Sequence, residues 1–142
     1  RPRLRAYPVE SVVAEKALAV VTLGMLNSRY KDYFDLWHLS RSTPFVGHTL
    51  LNAMRATFTR RGATWPSETP VGFTETFGTD PTKQNPWASF CKRARVTPPA
   101  GGLPAVVVSV REFIDPVFQA GIRGERFAAH WHPLGPWKEA AG

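Results

Sequence analysis

The chain has 142 residues, 43% hydrophobic and 20% charged, a composition typical of one folded domain or a large part of one. Eighteen Lys and Arg against 11 Asp and Glu give a formal net charge of +7. This favours an anionic partner such as nucleic acid or nucleotide phosphate over an ordinary basic surface. The longest apolar run, 17–26, is too short for a membrane span, and no signal peptide is recognisable. The single Cys91 fits a reducing cytoplasm. Because the chain starts at Arg1 rather than Met, we expect that an upstream segment is absent or was removed.

Helices are predicted for most of the first 60 residues. Residues 1–8 alternate Arg with apolar residues, which indicates a strand end or an arm. Residues 9–26 predict a helix that is apolar almost all round and therefore central in the fold. A second helix is expected over 29–40. A third is expected over roughly 44–60, with Thr43-Pro44 as its cap and first turn.

The second half of the chain is also predicted to be mainly helical. A loop with one helical turn is expected at 63–78, then a helix from Asp80-Pro81 to about Arg95 that Pro86 kinks or restarts. Apolar residues at i, i+3, i+4 and i+7 favour a helix over 103–120. We predict an irregular tail after it, a mainly α fold, and three regions: 1–97, a linker at 98–102, and 103–142.

Three charged residues on apolar helix faces are the first candidates for a functional site. Lys16 has Val12, Val13, Ala19 and Val20 as helical neighbours, and a cation there needs a partner. It is a point charge for a phosphate, a general base with a lowered pKa, or a lysine that reaches solvent past the valines.

Asp32 and Asp35 lie on one face of the second predicted helix. Three functional interpretations are open for these two carboxylates: they orient Lys16, bind a metal through water, or position a nucleophile. The structural interpretation is an ordinary amphipathic helix in which Asp35 forms an i, i+4 ion pair with Lys31. A compact helical hairpin would bring all three groups together.

Basic residues near these positions predict a track for an RNA backbone, or simply compensate helix dipoles. The candidates are Arg29, Lys31, Arg55, Arg60 and Arg61. His130 and His132 have the spacing of a metal pair on a strand, but no third ligand is near in sequence, so we predict no metal site.

Several sequence blocks resemble the AbiEii/AbiGii toxin family of nucleotidyltransferases. Residues 14–16 (AEK) and 29–36 (RYKDYFDL) are similar to its AEK and RxKDxxDL blocks. Weaker similarity continues through 54–62 (MRATFTRRG), 80–90 (DPTKQNPWASF) and 131–137 (WHPLGPW). The resemblance therefore extends over most of the chain.

The resemblance implies a toxin of type IV toxin–antitoxin or abortive-infection systems, with a cognate antitoxin as partner. The implied activity is transfer of nucleotides from NTP, with Mg²⁺, to RNA, the characterised acceptors being tRNA 3′ ends. Lys16 would contact the NTP phosphates, Asp32 would belong to the catalytic cluster, and Asp35 would support it. The implied fold is the helical C-terminal half of an α/β nucleotidyltransferase-like protein.

One part of the family pattern is not found. The chain has neither the Gly-Ser pair nor the DxD metal-binding pair of the family. We therefore expect a C-terminal portion whose N-terminal sheet domain is largely missing, inactive by itself and without a cofactor of its own. The alternative is a non-catalytic helical module that binds RNA or an antitoxin, or a degenerate remnant.

Overall fold

The computed structural model describes residues 7–140, so most of the strand end or arm predicted at 1–8 lies outside the described residues. The described part is mainly α-helical, which confirms the predicted fold class. It contains α1 Val9–Leu23, α2 Tyr30–Ser42, α3 Gly47–Arg60, α4 Glu75–Gly78, α5 Pro81–Ala94 and α6 Gly102–Arg123. Short 3₁₀ turns occupy Gly24–Leu26 and Val71–Phe73, and three strands are β1 Phe45–Val46, β2 Ala129–Trp131 and β3 Trp137–Glu139.

The apolar helix α1 packs against both α2 and α3. Its buried face includes Ala14 and Ala17, whose small side chains allow close approach of the neighbouring helices. The long helix α6 packs across α2, α3, α4 and α5, and buried residues of all these helices form one contiguous core. The valines at 106–108 lie inside α6, as their helical spacing predicted.

The sheet was not predicted, and two expectations are wrong there. Residues 44–46 do not begin the third helix, because Phe45 and Val46 pair antiparallel with Trp131 and His130. The tail is not irregular throughout, since β2 also pairs with β3. Trp131 is buried and donates its Nε1 hydrogen to the carbonyl of Ser40, 2.8 Å away. These partners lie about ninety residues apart in sequence, so local patterns contain no signal for them.

The expected restart of the helix at Pro86 is also wrong, because α5 runs without interruption over Pro81–Ala94. Side chains form hydrogen bonds with the backbone at the start of α5. Asp80 accepts a hydrogen bond from the backbone N–H of Thr82, and Gln84 donates to the carbonyls of Gly78 and Asp80. These bonds anchor the turn that precedes the proline. Within residues 7–140, no helix combines the length and apolarity needed to cross a bilayer.

We predict that Gly47→Ala destabilises the fold by about 1–3 kcal/mol, the usual cost of overpacking. A Cβ atom on Gly47 would lie 2.9 Å from the carbonyl oxygen of Ala129 and would also press on that of Phe127. Helix propensity by itself favours Ala over Gly, so the loss would report the steric contact. Urea unfolding measures it, with Asn52→Ala on the exposed face of α3 as control. An unchanged or higher stability of Gly47→Ala would contradict this packing.

Candidate functional site

A cleft of about 840 Å³ lies over the outer face of α1, with the start of α2 on one side and the end of α3 on the other. We call it the α1 cleft. Apolar residues of α1, including Val12, Ala19 and Leu23, line its floor. Its walls carry four cations, which come from α1, from the residue before α2 and from the end of α3: Lys16, Arg29, Arg60 and Arg61. The cleft therefore combines an apolar floor with cationic walls.

Glu15 and Lys16 point to opposite walls because consecutive helical residues are about 100° apart around the axis. The Lys16 Nζ lies 2.9 Å from Asp35 Oδ2 and 3.4 Å from Asp32 Oδ1, both on α2. The structure thus brings together the three residues that the helical-hairpin prediction grouped. The Lys16 side chain is 20% exposed and lines the α1 cleft, so its ammonium is paired without being sealed off from solvent.

Asp32 is almost fully buried in the first turn of α2, where the helix dipole favours a negative charge. Lys16 lies beside its Oδ1, and Arg29 Nε lies 3.1 Å from its Oδ2. The Arg29 contact is an ion pair without hydrogen-bond alignment, and within residues 7–140 Oδ2 accepts no hydrogen bond. One buried carboxylate oxygen at the cleft therefore keeps unused acceptor capacity.

Asp35 is half-buried and accepts contacts from two lysines. Lys31 Nζ lies 2.6 Å and Lys16 Nζ 2.9 Å from its Oδ2. Burial raises the pKa of Asp35, but the hydrogen bonds and charges of Lys31 and Lys16 outweigh this, so the net pKa lies below its ordinary 3.8. Asp35 thus ties Lys31 on α2 to Lys16 on α1.

On the opposite wall, Glu15 bridges both arginines at the end of α3. Its Oε2 lies 3.1 Å from Arg60 Nη2, and its Oε1 lies 3.0 Å from Arg61 Nη2. Both arginines are exposed, and exposed ion pairs contribute about 0–1 kcal/mol. Their guanidinium groups can therefore exchange Glu15 for another anion at small cost. Glu15 was not among the predicted site residues, although it lies in the AEK block at 14–16 beside Lys16.

The five basic residues predicted to form one track are divided by the structure. Arg29, Arg60 and Arg61 line the α1 cleft. Lys31 lies beside it, paired with Asp35. Arg55 lines a separate, smaller depression instead, where its guanidinium stacks on Trp65.

The carboxylates at the cleft do not fit a Mg²⁺ site. Glu15, Asp32 and Asp35 each lie within ion-pair distance of at least two cations. A divalent cation there would be repelled by the nearby positive charges of Lys16 and the arginines. Among residues 7–140, no group of three or more His, Cys, Asp or Glu is arranged to hold a metal ion. The donor set suits an anion.

Comparison with known proteins identifies a family for this chain. The family model described as "Nucleotidyl transferase AbiEii toxin, Type IV TA system" matches residues 1–120. The match includes all the charged residues of the α1 cleft. No curated protein and no solved structure matches the chain.

We predict that Asp35→Asn lowers stability at pH 7 and that its difference from wild type shrinks below about pH 4, near the ordinary pKa of Asp. The pKa of Asp35 is depressed in the fold, so its ionised form stabilises the fold above its unfolded pKa. That stabilisation is lost as the pH falls through the folded pKa. Urea unfolding at several pH values measures the difference, with Glu139→Gln on exposed β3 as control. A difference independent of pH would refute the assigned ion pairs.

Proposed function

The chain belongs to the AbiEii family of nucleotidyltransferase toxins of type IV toxin–antitoxin systems, and we propose that its α1 cleft binds the phosphates of an NTP. Family membership also implies a cognate antitoxin. The observation that carries the proposal is the position of Lys16. Its ammonium pairs with two carboxylates of α2 and also lines a cleft whose other wall holds Arg60 and Arg61.

The charge balance of the cleft supports a polyphosphate ligand. Five cations (Lys16, Arg29, Lys31, Arg60 and Arg61) face three carboxylates (Glu15, Asp32 and Asp35), which leaves a formal charge of +2. An ammonium has three N–H donors. In Lys16, two of these N–H groups serve Asp32 and Asp35, and the third can donate a hydrogen bond to a phosphate oxygen.

In this proposal Lys16 is the phosphate-contacting residue, and Asp35 is a positioning residue that holds it. Asp32 is a second positioning residue, because its Oδ1 lies 3.4 Å from Lys16 Nζ and its Oδ2 lies 3.1 Å from Arg29 Nε. Phosphoryl transfer depends mainly on such positioning and on charge stabilisation. The apolar floor beside Lys16 packs against the ribose or base of the nucleotide.

We further propose that RNA accepts the nucleotide, and that a tRNA 3′ end is the acceptor. This extends the resemblance of the sequence blocks, and the net charge of +7 supports it. Mg²⁺, when bound, would neutralise phosphate charge. Its ligands would be a DxD pair, which this chain does not contain. We therefore propose that the chain by itself binds nucleotide without transferring it.

A second candidate function is a non-catalytic module that binds RNA or an antitoxin. Its support is that basic residues such as Arg55 and Arg126 lie away from the α1 cleft. This function predicts RNA affinity that falls steeply with salt, and no dependence of any nucleotide binding on Lys16.

We predict that Lys16→Ala weakens nucleotide binding by the chain about 10–100-fold, which corresponds to the loss of one charge-assisted hydrogen bond. Isothermal titration with ATP, GTP and inorganic triphosphate measures the change. Lys92→Ala, at the exposed end of α5, is the matched control and should bind like wild type. Equal affinities of the two variants would reject Lys16 as the phosphate contact.

Removal of Lys16 also leaves Asp32 and Asp35 to repel an anion. The double variant Lys16→Met with Asp35→Asn removes one charge of each sign and keeps the net charge of the cleft. Weak binding by this variant would assign the effect to the ammonium itself. Binding restored to the wild-type level would assign it to carboxylate repulsion.

We predict that Lys16→Ala abolishes nucleotide transfer in the full-length protein while the fold is retained. The assay follows labelled NTP incorporated into tRNA, with circular dichroism to check the fold and Lys92→Ala as control. Transfer at the wild-type rate by Lys16→Ala would overturn the assignment of the site.

A further inference from the structure

A second depression, of about 350 Å³, lies where the first turns of α3 meet the segment that follows α6. We call it the α3 depression. Its lining includes His48, Asn52, Arg55 and Arg126. One carboxylate is present, Glu125, which is paired with Arg123 at 2.7 Å. The two lining arginines thus have donors to offer to an anion.

One helix without acidic residues, α3, contributes to both this depression and the α1 cleft. Helix α3 contains no Asp or Glu over its 14 residues. His48, Asn52, Arg55 and Thr59 are exposed at spacings of four, three and four, so they form one line along the helix. We call this line the α3 stripe. It is about 16 Å long, and Arg60 and Arg61 of the α1 cleft directly follow its last residue, Thr59, in sequence.

Arg55 is held in place on this stripe. Its guanidinium stacks over the Trp65 ring at 5.4 Å from the ring centre, and Nη2 donates to the carbonyl of Gly121 at 3.3 Å. An arginine has five N–H donors, so several remain for another acceptor. A guanidinium already positioned loses less entropy on binding a phosphate.

We propose that the α3 stripe binds the phosphodiester backbone of the acceptor RNA, with the reacting 3′ end in the α1 cleft and the adjoining strand extending to the α3 depression. This inference rests on the proposed function, which requires an RNA beside the NTP. The stripe offers one cation, Arg55, beside neutral hydrogen-bonding groups, and the α3 depression adds Arg126; the stripe itself contains no large apolar side chain. Such a surface suits a nucleic-acid backbone better than a protein interface, which centres on buried aromatic residues.

Helix α5 is the natural competitor, because it also contains no Asp or Glu and ends in Lys92 and Arg93. Its residues line neither the α1 cleft nor the α3 depression. An RNA bound there would not lead into the proposed site. The α5 end therefore provides a control with the same number of cations.

The test uses fluorescence anisotropy of a labelled RNA hairpin with a single-stranded 3′ overhang, titrated at several salt concentrations. Arg55→Gln with Arg126→Ser should weaken binding and reduce the slope of log K against log[salt] by about 2, one for each cation lost. Lys92→Gln with Arg93→Ser should leave the slope unchanged. Equal effects of the two double variants would mean unspecific surface charge and would overturn the proposal.

Loss of Arg55 also removes a packing contact with Trp65, so a second variant is needed. Asn52→Glu adds a carboxylate to the middle of the stripe at an exposed position. It should weaken RNA binding without changing unfolding by urea. RNA binding like wild type by both Asn52→Glu and the arginine double variant, or no RNA binding by the wild-type chain, would overturn the proposal.

Binding of inorganic triphosphate separates this inference from the proposed function. The stripe variants should bind triphosphate like wild type, because they leave Lys16 and its partners intact. If triphosphate binding depends on Lys16 while the stripe variants bind RNA like wild type, only the RNA site on the stripe is wrong. If RNA binding depends on the stripe while triphosphate does not bind, the stripe stands and the nucleotide site fails.

Discussion

An ammonium on a largely buried helix must be paired, and the pairing of Lys16 with two carboxylates of α2 is the constraint around which the charged side of this protein is arranged. It ties α1 to α2 at Asp32 and Asp35, one turn apart on α2. Because Glu15 is the preceding residue, it faces the other way and ties α1 to α3 through Arg60 and Arg61. Both bridges leave the outer face of α1 between them, and this face is the floor of the α1 cleft.

The two groups of ion pairs differ in how easily a ligand can displace their partners. Asp32 is almost completely buried, and removing one partner of a buried charge is costly, so the Lys16 side is suited to stay in place when a ligand binds. The Glu15 side is exposed and its pairs are individually weak. An anion in the cleft can therefore recruit Arg60 and Arg61 while Lys16 keeps a fixed position. A rigid wall facing an adaptable one fits the phosphate-binding role that we propose for the cleft.

The small sheet has a different part in the structure. Trp131 on β2 pairs with Phe45 and donates to the carbonyl of Ser40, so it joins the end of α2 to the start of α3. Gly47 allows the first turn of α3 to lie directly against the backbone that leads into β2. These contacts orient α3, whose far end reaches the α1 cleft and whose first turns line the α3 depression. The strands contribute no residue to the α1 cleft, but they set the direction of the helix that contributes to both depressions.

The helices can be predicted from the sequence because apolar periodicity and helix-end signals are local. Four of them, α1, α2, α5 and α6, begin and end within a few residues of the predicted positions. The sequence also singled out Lys16, Asp32 and Asp35, since charges on apolar helix faces contradict the local pattern. The strand at Phe45 and Val46 forms only in the folded chain, because its pairing partners lie about 85 residues away in sequence. Only the tertiary structure separated Arg55 from Arg60 and Arg61 and made Glu15 the counter-charge of the two arginines. Side chains that meet across different helices leave no periodic signal in the sequence.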